Sequence, residues 1–380
     1  MWRFLAHAPV PATAPFKVVF AGDTHFVASF EATKRALATA TGNSNAVATR
    51  NIELVQAASG PDFERHLRDA HVALPFMERI TEQHVAAAPL LRLVVQYGVG
   101  LEGVDVEACT RRGIAVSNMP AEASGNAAAT AEHACFLCLA LLRGGVRAMD
   151  AVYGRRVLGG PSVVAQLGGK QVLVVGHGAV GRRLARFLRA FDADVSAAHA
   201  HRAWRADELH TQTTEEGGMA ETRCIDGGSA LKEALGAFDV IALCCPLTPE
   251  TRGLVDADFL ASCKRGAVLV NVGRGPLVHR SAVLDALTRG HLAGFASDVG
   301  VGDDAAAPGQ HGRPSEPWDP DDELSRHPKA YFTPHVGGYS DVAYGNMATS
   351  LVDAVLRVRG GERPLVWVNE HDAVKEEEAV

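Results

Sequence analysis

No stretch of this sequence can serve as a membrane span. The most apolar long run, residues 127–142, is too short and carries Glu132 and His133 inside it, which marks a buried helix instead. Clustered positive charge is also missing: 37 Lys and Arg face 44 Asp and Glu, the formal net charge is -7, and the basic residues are scattered, which excludes a nucleic-acid partner. The 7 cysteines are odd in number, and Cys109, Cys135, Cys138, Cys224, Cys244, Cys245 and Cys263 follow no zinc or disulfide spacing. A reducing, cytoplasmic setting is expected. Among 16 histidines there is no His-Glu-x-x-His run or similar cluster, so no metal is expected. Residues 1–15 hold three prolines, one basic residue and no clear cleavage site; they read as a loose leader, and the charged residues 375–380 as an unfolded tail.

With 380 residues the chain is long enough for two domains with a cleft between them. Short apolar strand-like runs at 17–20, 72–76, 91–96 and 114–117 alternate with helix-like stretches, and a second series occupies 171–175, 194–198, 239–244, 267–271, 294–297 and 330–333. Such alternation predicts α/β architecture with a parallel sheet in each domain. Residues 341–359 place Tyr344, Met347, Leu351, Val355 and Val358 at spacings of three and four, the apolar face of a returning helix. Residues 300–322 break the pattern with Gly, Pro, Asp and Ala, and a loop of that length is either functional or disordered.

Residues 171–175 run straight into Gly176-His177-Gly178-Ala179-Val180-Gly181, after which Leu184, Leu188 and Phe191 repeat at helical spacing. Strand, glycine turn and helix in this order form the dinucleotide-binding pattern. Gly176 permits the turn, Gly178 lets the backbone approach a pyrophosphate, Gly181 lets helix meet strand, and the helix N-terminus offers N–H groups and a positive dipole. About 20 residues after the first glycine an acid ordinarily takes the ribose hydroxyls. Here His199, His201 and Arg202 occupy that region and suit a ribose 2′-phosphate, so the cofactor is NAD or NADP. Two alternatives stay open: these residues form a solvated loop, or Asp192 or Asp194 is the acid in a shifted register.

Four further segments lie in a fixed order: Val95-Gln96-Tyr97-Gly98-Val99-Gly100-Leu101-Glu102-Gly103-Val104-Asp105, Pro246-Leu247-Thr248-Pro249-Glu250-Thr251, Asn271-Val272-Gly273-Arg274-Gly275 and Thr333-Pro334-His335-Val336-Gly337-Gly338. Together with the glycine turn, residues 16–369 resemble the D-isomer-specific 2-hydroxyacid dehydrogenases. The nearest likeness is to the short phosphoglycerate dehydrogenase-like branch, with no regulatory domain after the core. The resemblance implies two doubly wound parallel-sheet domains with the active site in the cleft between them. Residues 1–125 and 340–380 would form a flavodoxin-like substrate domain, and residues 126–339 an inserted Rossmann nucleotide domain. It also implies hydride transfer between a nicotinamide cofactor and a small D-2-hydroxy acid or 2-keto acid such as phosphoglycerate, hydroxypyruvate or glyoxylate. A homodimer through the nucleotide domain and the helix 127–142 goes with it.

By the same resemblance Arg274 binds the substrate carboxylate, His335 is the catalytic acid and base, and Glu316 is its carboxylate partner. The chemistry is reasonable: hydride delivery builds negative charge on a ketone oxygen, a nearby imidazole can protonate it, and a carboxylate fixes the imidazole tautomer. Tyr97 and the backbone N–H groups of Val99 and Gly100 would complete the substrate contacts. Ala179 and Val180 would face the pyrophosphate, Cys245, Pro246 and Thr251 the adenosine side, and Val272 and Gly273 the nicotinamide ribose, with Gly337 and Gly338 closing the cofactor contacts. Asp298 would bond the carboxamide, or else cap its own loop. In the family an Asp-Val-x-x-x-Glu-Pro run supplies the catalytic Glu soon after the Asp298 position, whereas this chain has an insertion over residues 300–315. Glu316, with Pro317 next to it, is preferred; Asp303, at the usual distance but without the proline, is second. The alternative function is a dinucleotide-sensing scaffold of the corepressor type, against which the retention of Arg274, Glu316 and His335 speaks. Formate oxidation would need extra polar residues that the Asn126 region does not supply.

Overall fold

The computed structural model describes residues 8–22, 27–42, 51–76, 78–101, 103–120, 123–144, 164–204, 223–300 and 321–370. Asp303, Glu316, the insertion beyond Gly300 and the tail 375–380 lie outside the described residues. The described chain divides into two compact units. One comprises residues up to Asn126 and from Tyr339 onward, the other Ala127 to Gly338.

In the first unit β1 (Phe16–Ala21), β2 (Ile52–Ala57), β3 (Val72–Leu74), β4 (Leu93–Gln96) and β5 (Ala115–Asn118) form a parallel sheet in the order β2-β1-β3-β4-β5. That is the flavodoxin-like order. Helices α1 (Val27–Gly42), α2 (Pro61–Leu67), α3 (Glu82–Ala87) and α4 (Val106–Arg111) link the strands. β1 is buried along its whole length because both sheet faces are covered: Val19 and Ala21 join one core with Phe63 and Val94, and Phe16, Val18 and Phe20 another with Leu351 and Val355. Each such side chain as Phe16, 0% exposed, adds about 2 kcal/mol by leaving water. Lys17 can sit mid-strand because its amine reaches out to Asp69 at 2.6 Å. β3 stops at Leu74 because its neighbour Pro75 cannot donate to the ladder. β2 is a strand that the apolar pattern of the sequence does not predict.

The returning helix Asp341–Arg359 is capped by Ser340, whose hydroxyl accepts from the Ala343 N–H at 3.0 Å, and buries Met347, Leu351, Val355 and Val358 as the spacing predicts. Its last residue corrects one expectation. The Arg359 side chain is buried and donates to the carbonyls of Pro11, Ala12 and Ala14 at 3.2, 3.0 and 3.1 Å, while the Val10 N–H bonds the Arg359 carbonyl at 2.9 Å. Residues 10–14 are therefore tied down rather than a loose leader, since a buried guanidinium requires acceptors and these carbonyls supply them.

In the second unit β6 (Gln171–Val175), β7 (Asp194–Ala198), β8 (Arg223–Ile225), β9 (Val240–Leu243), β10 (Ala267–Asn271), β11 (Leu292–Ser297) and β12 (Ala330–Phe332) are all parallel, in the order β12-β11-β10-β9-β6-β7-β8. The short edge strand β8 is the other strand not expected from sequence. The described helices are α5 (Asn126–Leu142), α6 (Ala179–Ala190), α7 (Ser229–Ala234), α8 (Ala257–Ser262) and α9 (Arg280–Thr288). β6 alternates between two cores, Leu173 and Val175 in one, Val172 and Val174 in the other beside Ala131, Leu137 and Cys138 of α5 and Leu184 and Leu188 of α6. The apolar face of α5 is thus covered within its own unit and does not need a second copy of the chain; Phe136 on the same helix stays 47% exposed. No helix among the described residues is long and apolar enough to cross a membrane.

Candidate active site

Connections from β6 run one way to β7 and the other way to β9, so the carboxyl ends of β6 and β9 flank the switch point where open α/β sheets bind ligands. The glycine turn lies there. Gly176 adopts φ 95, and a Cβ on it would come within 2.6 Å of Cys245 Cα, so the turn presses on the exit of β9. A Cβ on Gly181 would sit on the Gly176 carbonyl oxygen, whereas one on Gly178 would meet nothing within 4 Å. Two glycines are demanded by packing and the third leaves space in front of the helix. Ala179 and Val180 open α6, whose first turn has no acidic residue and no side-chain cap. Its leading N–H groups therefore suit an anion, and the chain's residues fit a dinucleotide pyrophosphate.

Beyond β7 the register question is resolved. Asp194 is the first residue of that strand, paired with Gln171 and bonded to its side chain at 2.9 Å, and Asp192 precedes it. Both stand at the end of β7 away from the glycine turn. At its other end the strand continues into His199-Ala200-His201-Arg202-Ala203-Trp204. The Trp204 ring lies 4.3 Å from the His199 ring and 5.6 Å from that of His177, and its Nε1 donates to the Ile225 carbonyl at 2.9 Å. Burial, helped by the positive charges of Arg182 and Arg189, pushes His177 down to about 4, so that ring is neutral at pH 7. His201 is exposed, and Arg202 donates to the Ala203 carbonyl at 3.1 Å. His177, His199 and Trp204 form an aromatic box that motif reading passes over, because only packing brings residues 177 and 204 together.

The β9 and β10 exits carry the next group. Thr251 is buried and its hydroxyl donates to the Pro246 carbonyl at 2.8 Å while accepting from the Thr248 N–H at 2.7 Å, which folds the loop after Cys245 on itself. Burial pushes the Cys245 thiol up to about 11, and this cysteine is a small apolar residue rather than a nucleophile. Among the described residues no cluster could hold a metal ion. Gly273 is squeezed between the Cys245 carbonyl and Leu277, where a Cβ would lie 2.7 and 2.8 Å away. Asn271 holds the turn that presents Arg274: its Oδ1 accepts from the Gly273 N–H and its Nδ2 donates to the Arg274 carbonyl, each at 3.0 Å. Arg274 itself is half-buried and donates to the Gly273 carbonyl at 2.9 Å.

β11 delivers Asp298, and β12 leads into the turn bearing His335. Asp298 is 3% exposed. Its Oδ1 accepts from the Thr333 hydroxyl at 2.6 Å and the Val336 N–H at 2.9 Å, and its Oδ2 from the Gly337 N–H at 2.8 Å. His133 of α5 stands 3.4 Å from the same carboxylate. These bonds make Asp298 a brace for the turn that bears His335. Burial pushes its carboxyl up, but the hydrogen bonds from His133 and Thr333 and the charges of His133 and His335 outweigh it, and the net position is below the ordinary carboxylate value. His335 adopts φ 56, in the left-handed region that is uncommon for residues with a Cβ.

In the first unit the loop after β4 carries Tyr97, Val99 and Gly100. Tyr97 packs against Phe76 at 5.2 Å and donates its hydroxyl to the Tyr344 carbonyl at 3.4 Å, and burial pushes the phenol above its usual range. Asn118 Nδ2 donates to the Val99 carbonyl at 2.8 Å, and the Val99 side chain is exposed.

Comparison with known proteins adds to this geometry. The family model for the NAD binding domain of D-isomer specific 2-hydroxyacid dehydrogenases matches residues 135–337. D-3-phosphoglycerate dehydrogenase of Bacillus subtilis is 29% identical over 327 residues, 86% of this chain and 56% of that protein. Glyoxylate reductase of Pyrococcus furiosus is 31% identical over 299 residues, 77% of this chain and 80% of that protein. The crystal structure of the TT0316 protein from Thermus thermophilus superposes with a TM-score of 0.71 at 27% identity, covering 93% of this chain and 100% of the other. The chain spans about half the length of the phosphoglycerate dehydrogenases it matches.

Proposed function

This chain belongs to the D-isomer-specific 2-hydroxyacid dehydrogenases, and on that premise we propose that it transfers hydride between a nicotinamide dinucleotide and a small D-2-hydroxy acid or 2-keto acid. The observation that carries the reading is the His335 turn, an imidazole at φ 56 followed by two N–H groups bonded to a buried carboxylate, on the same unit as the glycine turn. A bound nicotinamide supplies or takes the hydride. His335 gives the proton to the carbonyl oxygen on reduction and takes it back on oxidation. Arg274 meets the substrate carboxylate with its planar fork, and Tyr97, Val99 and Gly100 are assigned the remaining substrate contacts. Glu316 is assigned to hold the imidazole tautomer. Gly176, Gly178, Ala179, Val180 and Gly181 would hold the pyrophosphate, and Gly337 and Gly338 would border the nicotinamide. Relatives named as dehydrogenases and reductases support an enzyme over a sensing scaffold.

The end of β7 bears on the choice of dinucleotide. An acid at this place binds the ribose hydroxyls and repels a 2′-phosphate, and with His199, Ala200 and His201 there instead, that repulsion is absent. The protein should therefore accept NADPH at least as well as NADH. One assay tests both points: loss of reduced-cofactor absorbance with NADH and NADPH against glyoxylate, hydroxypyruvate, pyruvate, 2-ketobutyrate and phosphohydroxypyruvate. Turnover of at least one acid is expected, with kcat/KM for NADPH no lower than for NADH. Dinucleotide binding without turnover would return the sensing reading, and a preference for NADH above about 100-fold would mean that another group discriminates against the phosphate.

A homodimer belongs to the same reading. Sedimentation equilibrium is expected to give twice the chain mass, and a monomer at micromolar concentration would end that part of it.

A further inference from the structure

Three elements distant in sequence meet at Asp298. They are α5 through His133, the end of β11, and the turn from Thr333 to Gly337. The donors and acceptors can be counted. The Thr333 hydroxyl has one proton, and the Asp298 carboxylate 2.6 Å away can only accept, so that proton points at Oδ1. His133 Nε2 lies 2.8 Å from the same hydroxyl oxygen, whose remaining capacity is to accept. His133 must therefore carry its proton on Nε2 and donate it. The result is a directed chain from His133 to Thr333 to Asp298, and Asp298 in turn takes the N–H groups of Val336 and Gly337, the two residues directly after His335. The turn has closed tightly on this pair: a Cβ on Gly337 would stand 2.7 Å from Asp298 Oδ2 and 3.4 Å from His133 Cδ2. His133 stands on α5 between Ala131 and Ala134, both wholly buried in the core of this unit.

We propose that His133 is a positioning residue for the acid-base histidine. Its Nε2–H orients the Thr333 hydroxyl, the hydroxyl and the turn amides fix the Asp298 carboxylate, and the carboxylate holds His335 in its left-handed conformation. This rests on the reductase reading for the meaning of kcat, but the brace itself can be measured without turnover.

Two variants cut the chain from either side. His133→Phe keeps a ring and removes the donor, Thr333→Val keeps the shape and removes the hydroxyl, and His133→Gln restores an N–H without an ionisable ring. With the best keto acid, His133→Phe and Thr333→Val are each expected to lower kcat about tenfold while KM for acid and cofactor stays within about twofold. The double variant should be no worse than the worse single one, since the second cut breaks a chain already broken. His133→Gln should recover kcat to within about threefold of the unaltered protein. Hydrogen–deuterium exchange of the peptide carrying Val336 and Gly337 should speed up about tenfold in both single variants and return in His133→Gln. Additive losses, equal losses in the Phe and Gln variants, or unchanged exchange in both single variants would overturn the proposal. If the unaltered protein reduces no keto acid, it is the reductase reading that fails, and the exchange result alone decides whether His133 holds the turn.

Discussion

Replacing His335 by alanine is expected to lower kcat for keto-acid reduction about 1,000-fold, with dinucleotide affinity within about twofold of the unaltered protein. The turn contributes two things, a proton and a conformation, and alanine alone would not separate them. At φ 56 an alanine is strained, so His335→Ala could shift the amides of Val336 and Gly337 off Asp298. Asparagine enters the left-handed region several times more readily than most residues with a Cβ, yet has no group that titrates near neutral pH. His335→Asn should therefore leave the turn in place and lose the same factor in kcat. Steady-state kinetics on both variants, with fluorescence titration of the dinucleotide, makes the check. A loss below about tenfold in His335→Asn would put the proton on another group.

The second large effect concerns the glycine turn, where Gly178 and Gly181 should both lose dinucleotide binding but only one should lose stability. Gly181→Ala drives a methyl onto the Gly176 carbonyl, with the buried Val174 side chain beside it and no flexible side-chain end to give way. Overpacking of this kind costs about 1–3 kcal/mol, which for a unit of this size lowers Tm by roughly 5 °C. Dinucleotide binding should fall more than about 100-fold as the helix is levered off the strand. Gly178→Ala adds a methyl that meets nothing in the chain within 4 Å, so Tm should stay within about 1 °C. Binding should still drop at least tenfold, about 1.4 kcal/mol, because the methyl occupies the space a pyrophosphate would enter. Thermal unfolding and fluorescence titration on the two variants give the comparison. Equal Tm values with equal binding would mean that neither glycine is there for the reason given.

How far such features can be read in advance depends on whether a residue's role is set by near or distant neighbours. β6 is legible because a parallel strand buried on both faces is an unbroken apolar run, and Gln-Val-Leu-Val-Val can be little else. β2 escapes because it lies at the sheet edge, where Glu53 is exposed and most neighbours half-buried, so Ile-Glu-Leu-Val-Gln-Ala has neither a continuous run nor a clean alternation. The helix 341–359 announces itself through period, since a long one-sided helix needs only its own spacing. At the site, the glycine turn and its flanking strand and helix are local and visible together. Asp298 is visible as a residue, and as a loop cap in one of its two readings, but the groups it takes are not, because its donors come from positions 333, 336 and 337 and no local pattern encodes that pairing. His133 reads in sequence only as a polar interruption of an apolar helix, yet the interruption is the signal: a titratable ring on a mostly buried face needs a partner.

The anchoring of residues 10–14 by Arg359 has a consequence for the order in which the molecule is made. Those carbonyls and that guanidinium are separated by up to 348 positions, and the core around Phe16, Val18 and Phe20 is shared with the same late helix. A nascent chain emerging from the ribosome therefore carries its first sheet for most of translation with one face covered only in part, by Phe30 of α1 and without the returning helix. Every described strand of the second unit lies between Ala127 and Gly338, so all of them are synthesised before the returning helix that packs on the first sheet. Closing the first sheet is thus a late event of high contact order, and the apolar face of β1 is the surface most in need of protection until it happens.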